Sequence, residues 1–267
     1  MCKILNVARS GYYKYIKRKT TAREVENQVL MKYIQDIFIE HKSRYGSGRI
    51  RSCLRNMGML TSKKRVTKLM RAQGLYAKGA RYKYKYHKKD FVLPTRNLID
   101  QNFNTIKKNS VWFGDITYIQ TYEGTLYLSV FLDLFTRRVV GYALNEHMKD
   151  TMVIDSLEMA IKKERPNKGL IVHTDQGTQY TSHDFIQILE YNGFIRSNSN
   201  KGNPYDNALM ESFFKTFKRE VLPKQRYKTK KEARLEILNY LEVYYNDKRH
   251  HTSLGHMTPS EFDTLNS

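Results

Sequence analysis

The sequence predicts an α/β protein, a mixed five-stranded sheet flanked by helices, preceded by an all-helical module. Three observations carry that expectation. From residue 110 onward, β-branched apolar runs and amphipathic stretches follow in the order strand, strand, strand, helix, strand, helix, strand, helix. Between residues 24 and 74 the apolar spacing is helical in three successive stretches. Charge divides along the same line: residues 1–100 hold 25 Lys and Arg against 6 Asp and Glu, whereas residues 101–267 hold 22 against 20. A basic front half on a near-neutral body is the distribution of a polyanion-binding arm joined to an enzymatic domain.

The front half resolves into three helices. Residues 24–40 place Val25, Val29, Leu30, Tyr33, Ile34, Ile37 and Phe38 on one expected face. Ser47 is expected to cap a second helix reaching Met57, with Ile50, Cys53 and Leu54 inward and Gly58 ending it. Thr61 or Ser62 caps a third, with Val66, Leu69 and Met70 inward and Gly74 as its stop. Helix, short Gly-containing turn, helix is the helix-turn-helix layout. The third helix bears Lys63, Lys64, Arg65, Lys68 and Arg71, whose charges suit DNA phosphates; a small structural bundle would show the same pattern. Residues 81–89, RYKYKYHKK, alternate aromatic and basic side chains. They read either as a base-stacking, phosphate-neutralising strip or as a polar linker. With Pro94 they set a boundary near residues 90–105. The expected division is therefore a helical module at 1–80, a linker at 81–105, a core at 106–225 and a helical tail at 226–267.

In the core, 111–120 and 125–135 are strands joined by a hairpin at 122–124, and 138–144 is a third. Residues 151–165 are helical, with Val153, Ile154, Leu157, Ala160 and Ile161 inward. A fourth strand at 170–173, a helix at 182–192 and a fifth strand at 194–197 complete the succession of an RNase H-like fold. The tail is expected to be helical over 231–245 and interrupted by Pro259.

Three carboxylates stand out in this frame. Asp115 lies within the strand VWFGDITYI (111–119), Asp175 where the strand GLIVHT (169–174) opens into a loop, and Glu211 in a helix that follows an Asn203-Pro204 turn. Thirty-five residues separate Asp175 from Glu211. A buried carboxylate is costly without a cationic partner, and no nearby Arg or Lys is placed to pair with all three. Oxygen-only ligands suit Mg²⁺, with Mn²⁺ as substitute, and two such ions can serve phosphodiester chemistry. Singly, a strand Asp is more often a cap or salt-bridge residue and a helical Glu a solvated face.

The phrases around them match one family. WFGDITY (112–118), HTDQGTQY (173–180) and GNPYDNALMESFF (202–214) resemble the DDE signature of retroviral-integrase-like transposases, and most closely the second-frame product of insertion-sequence-three-type elements. Lys218 seven residues after Glu211, the tail phrases YNDKRH (245–250) and TPSEF (258–262), and the opening MCKILNVARSGYY (1–13) extend the resemblance over almost the whole chain. The resemblance implies a DNA transposase in which Asp115, Asp175 and Glu211 hold two Mg²⁺ ions. It cleaves a strand at the element's terminal inverted repeats and then uses the 3′-hydroxyl to attack target DNA. It also implies a homo-oligomer on DNA, Lys218 at substrate phosphate, and an upstream-frame partner or frameshift fusion supplying the main end-recognition domain. Asp206 or Asn207 is read as a cap for the Glu211 helix, and Gly177 and Gln179 as the loop beneath Asp175. His173 is either a substrate contact or a core residue. Asp133, Arg249 and His250 are assigned no chemistry.

Composition excludes other classes. Cys2 and Cys53 have no paired spacing, and the eight histidines form no zinc pattern. No apolar stretch of about 18 residues suggests a membrane span, so a cytoplasmic, nucleoid-associated protein of net charge +21 is expected. No Gly-x-Ser-x-Gly elbow points to a serine hydrolase. Two readings stay open beside the transposase: a nuclease of the same fold without strand transfer, and a DNA-binding regulator with a silent carboxylate site.

Overall fold

The structure, a computed structural model, describes residues 8–16, 21–78, 97–99, 105, 107–199, 204–223 and 225–266. The chain divides into two compact units, Met1–Ala80 and Arg81–Ser267. The Tyr/Lys strip at 81–89 and Pro94 fall outside the described residues.

The first unit contains α1 (Arg9–Ile16), α2 (Ala22–Glu40), α3 (Ser47–Asn56) and α4 (Lys63–Ala72). A capping box fixes the start of α2: Glu24 N–H donates to Thr21 Oγ1 at 3.2 Å, and Thr21 N–H donates to Glu24 Oε2 at 2.8 Å. Ser62 caps α4 by accepting from Arg65 N–H, whereas α3 has Gly46 at its cap position and Ser47 already inside the helix. Leu30, Ile34, Ile37 and Phe38 of α2 pack with Ile50, Cys53, Leu54, Val66, Leu69 and Met70 as buried residues. The single apolar face expected for α2 is split. Val25, Val29 and Tyr33 are 49%, 50% and 41% exposed, because α3 and α4 are ten-residue helices and cover only the Leu30–Ile34–Ile37 side.

The second unit is built on a sheet of order β3-β2-β1-β4-β5. Its strands are β1 (Val111–Thr121), β2 (Gly124–Asp133), β3 (Val139–Asn145), β4 (Ile171–Thr174) and β5 (Ile195–Asn198). β1, β2 and β3 form an antiparallel meander, while β4 and β5 run parallel to β1. α5 (Asp150–Glu164) follows β3, and α6 (His183–Tyr191) joins β4 to β5. Trp112, Phe131, Val140, Val153, Leu157, Val172, Phe185 and Leu189 form the buried layer between sheet and helices. α5 lies so close to β3 that a Cβ on Gly141 would sit 2.1 Å from the Ser156 carbonyl oxygen. At the end of β2, Asp133 is fully buried and accepts from Asn109 N–H and from the N–H and hydroxyl of Thr136. It closes a turn and has no chemistry to offer. This mixed sheet with flanking helices is the RNase H-like fold.

A 3₁₀ turn (Pro204–Asn207) leads into α7 (Ala208–Val221). The helix expected over 231–245 is α8 (Lys230–Leu238) followed by a π-helical segment (Asn239–Tyr245). The wider winding brings Tyr240, Leu241, Tyr244 and Tyr245 all inward. Tyr245 meets Phe213, and Tyr240 meets Phe217, at 5.1 and 5.6 Å between ring centres. Pro259 does more than stop a helix: it opens α9 (Pro259–Leu265), whose capping box joins Thr258 and Glu261.

Candidate active site

β1 and β4 bring the two aspartates to one level. Their parallel register runs from Val111–Ile171 to Gly114–Thr174, and the next residue on each strand is acidic. Neighbouring strands lie about 4.8 Å apart. Gly114 is required here, since a Cβ would come within 2.4 Å of the buried Phe131 ring on β2.

Both oxygens of Asp115 are held. Oδ1 accepts from Ile116 N–H at 2.7 Å and Oδ2 from Asn207 Nδ2 at 3.2 Å. Burial, then the charge of Asp175, raise its carboxyl to about 7; the Ile116 N–H pulls it back, Glu211 adds to the rise and Lys218 opposes it. Asp175 is exposed at the end of β4. Its Oδ1 accepts from Gly177 N–H at 2.9 Å, and its backbone carbonyl accepts from Asn198 Nδ2 at 2.9 Å.

Glu211 sits in the first turn of α7, exposed. Partial burial raises its carboxyl, and Lys215 opposes that rise. Lys218 lies two turns further along. Its ammonium stands 4.8 Å over the Tyr118 ring, and burial lowers its pKa while Asp115 opposes. Among the described residues no group of three His, Cys, Asp or Glu side chains is close enough together to hold a metal ion, so Asp115, Asp175 and Glu211 are not drawn into one ligand set. Asp175 and Glu211 are both exposed, and Asp115 feels the charge of each.

His173 belongs to the core. It is fully buried with its ring centre 4.9 Å from that of Phe113, and its Nδ1 lies 2.9 Å from Ser197 Oγ. The same Ser197 oxygen also accepts from Leu98 N–H. Burial lowers the imidazole to about 4, and Asp206 opposes; it is neutral and turned away from solvent. The cap expected from Asp206 or Asn207 is not made, for α7 has no side-chain cap. Asp206 is buried beside His173, and Asn207 reaches Asp115 instead.

On α4, Lys63, Lys64, Lys68 and Arg71 are exposed. Arg65 is turned back into its own module, donating to Asn27 Oδ1 and Glu26 Oε1, each at 2.9 Å.

Three features escape a reading of the chain alone. The Tyr118 ring supports the Lys218 ammonium, which strand alternation does not reveal. Tyr180 is buried beneath the aspartates; burial and then the charges of Asp115 and Asp175 drive its phenol well above its ordinary value. Behind Glu211, the far end of α7 is anchored by a buried ion pair. The Arg249 guanidinium grips both Glu220 oxygens at 2.9 and 3.0 Å, and Tyr240 donates to one of them. Arg249 is thus structural, and only the long separation of the partners conceals the pairing in the sequence.

Residues 106–204 and 192–259 each match a family model described as an integrase core domain, and residues 24–84 match one described as an HTH-like domain. The transposase for insertion sequence element IS904 of Lactococcus lactis subsp. lactis (strain IL1403) is 49% identical over 94% of this chain and 99% of its own length. Transposase InsF for insertion sequence IS3A of Escherichia coli (strain K12) is 36% identical over 100% of this chain and 93% of its own. Among solved structures, the HTLV-2 integrase catalytic core domain in complex with magnesium aligns with a TM-score of 0.45 and 18% identity, over 58% of this chain and 95% of that one. No helix among the described residues is long and apolar enough to cross a membrane. The family models and the full-length relatives agree: this chain belongs to the family of IS3-type insertion-sequence transposases, enzymes with an integrase catalytic core.

Proposed function

We propose that Asp115, Asp175 and Glu211 are the residues with which this transposase holds two Mg²⁺ ions during strand cleavage and strand transfer, Mn²⁺ being able to substitute. The observation that carries the reading is the register of β1 and β4, which brings Asp115 and Asp175 to one level. Burial and the like charge of Asp175 hold the Asp115 carboxyl near 7, a strain that bound divalent cations would relieve. The donor chemistry fits: it is all oxygen, and the exposure of Asp175 and Glu211 leaves room for water and phosphate, as Mg²⁺ prefers. When bound, the ions would activate the attacking oxygen and neutralise charge on the phosphate and the leaving oxygen.

The chain's own residues do the rest. Ile116 N–H and Asn207 orient Asp115, and Gly177 N–H orients Asp175. Lys218, steadied by Tyr118, contacts DNA phosphate beside the carboxylates. Hydrolysis at the element terminus then frees a 3′-hydroxyl, and that hydroxyl displaces a phosphodiester oxygen in the target strand. On the helical module, Lys64, Lys68 and Arg71 recur at i, i+4 and i+7 and form a phosphate-binding row with Lys63; Arg65 orients the row from behind. The partners are the element's terminal inverted repeats and target DNA, met as a homo-oligomer in the cytoplasm at the nucleoid, with the upstream-frame product as partner or fusion. The domain division at 1–80, 81–105, 106–225 and 226–267 serves this assignment.

The test is a labelled DNA carrying the element's own end, incubated with protein and Mg²⁺. Cleaved and joined products are expected. Cleavage without joining favours a nuclease, and binding without metal-dependent chemistry leaves a regulator.

A further inference from the structure

α7 opens at Ala208, which puts Asn207 at its cap position. An Asn there ordinarily accepts a hydrogen bond from a backbone N–H of the first turn. This one makes no such bond. Its amide crosses to β1 instead, where Nδ2 donates to Asp115 Oδ2 at 3.2 Å. Asn207 is 9% exposed. The other end of its amide, Oδ1, is buried and has no hydrogen-bond donor among the described residues. The helix therefore forgoes a stabilising cap, and the side chain that would supply it serves the carboxylate of another element.

We propose that Asn207 is a positioning residue for the divalent-metal site, an inference that rests on the reading of Asp115, Asp175 and Glu211 as metal ligands. Ile116 N–H holds one Asp115 oxygen and Asn207 the other, so the plane of the carboxylate is fixed from both ends. Each oxygen keeps a lone pair for a cation. Asn207 lies four residues before Glu211, on the chain entering the same helix, so the bond also ties the placement of Glu211 to β1. A neutral donor suits this task. A Lys or Arg in its place would orient Asp115 equally well but would repel the cation.

The test is Mn²⁺ binding to the full chain, read from the electron paramagnetic resonance signal of the free ion, beside metal-free melting temperatures. Asn207→Ala removes the donor, and Asn207→Leu removes it while keeping the volume. Both variants are expected to bind Mn²⁺ roughly 10–100-fold more weakly, with metal-free melting close to that of the unaltered protein. Strand joining lost at low Mg²⁺ should return as Mg²⁺ is raised. Asp175→Asn serves as the reference and should lose the site. If Asp175→Asn loses Mn²⁺ while both Asn207 variants bind it normally, the positioning role is overturned and the metal site stands. If Asp175→Asn also binds Mn²⁺ normally, both readings fall. Weakening that merely tracks a loss of folded protein in both Asn207 variants also overturns the role.

Discussion

Asp115 and Asp175 stand side by side on neighbouring parallel strands, each one residue past the Gly114–Thr174 pair that ends the ladder. The sheet thus forces together two like charges, and burial first, then the charge of Asp175, hold Asp115 at about 7 in place of 3.8.

That juxtaposition gives a pH signature in the metal-free protein. Between pH 4 and 7 the folded state holds a proton on Asp115 that the unfolded chain releases. Stability therefore falls as pH rises through this window and levels off above it. Asp115→Asn should flatten that slope in urea titrations, and added Mg²⁺ should stabilise the unaltered protein more at pH 8 than at pH 6.

Asp115→Asn, Asp175→Asn and Glu211→Gln should each abolish cleavage and joining while circular dichroism stays near that of the unaltered protein and melting does not fall. Turnover retained by any one of them would remove that residue from the metal-binding set.

Much of this was legible in the sequence, because β-strand runs and a strand-to-loop transition place Asp115 and Asp175 without reference to distant residues. The strand and helix limits of the core follow the same local patterns. What was hidden depends on partners far away in the chain. Asn207 reads as a cap because its bond to Asp115 spans 92 residues. Arg65 reads as a DNA contact because Glu26 lies 39 residues before it. Val25, Val29 and Tyr33 read as core because helical spacing shows that a face is apolar, not how much of it two short neighbours can cover.

The row on α4 makes a distinction that salt titration can read. Replacing Lys64, Lys68 and Arg71 by Ala together should lower the slope of log affinity against log salt by about 2–3 if each contacts one phosphate. Arg65→Ala should leave the slope nearly unchanged and lower the melting temperature, since it loses Glu26 and Asn27.

The buried pair behind Glu211 should be sensitive to half-removal. Glu220→Gln or Arg249→Met alone strands a charge in the core and is expected to cost about 3–5 kcal/mol in denaturant unfolding. Replacing both at once by apolar residues of similar volume should cost less than the sum of the two. Strict additivity would show that the contact at 2.9 and 3.0 Å carries no coupling.

Close packing at the sheet gives a contrast between two glycines. Gly141→Ala pushes a Cβ into the Ser156 backbone of α5, whereas Gly114→Ala meets the Phe131 ring. Each should destabilise by at least about 1–3 kcal/mol. Gly141→Ala should be the worse in thermal melts, because a helix backbone yields less readily than a ring.

The most direct measurement is anomalous diffraction from Mn²⁺ in crystals of the protein bound to its element-end DNA. The account predicts Mn²⁺ density bounded by the Asp115 and Asp175 carboxylates, with Glu211 contributing from α7, and its loss in Asp175→Asn crystals. Mn²⁺ held elsewhere, or no ordered Mn²⁺ at concentrations that support strand joining, would contradict it.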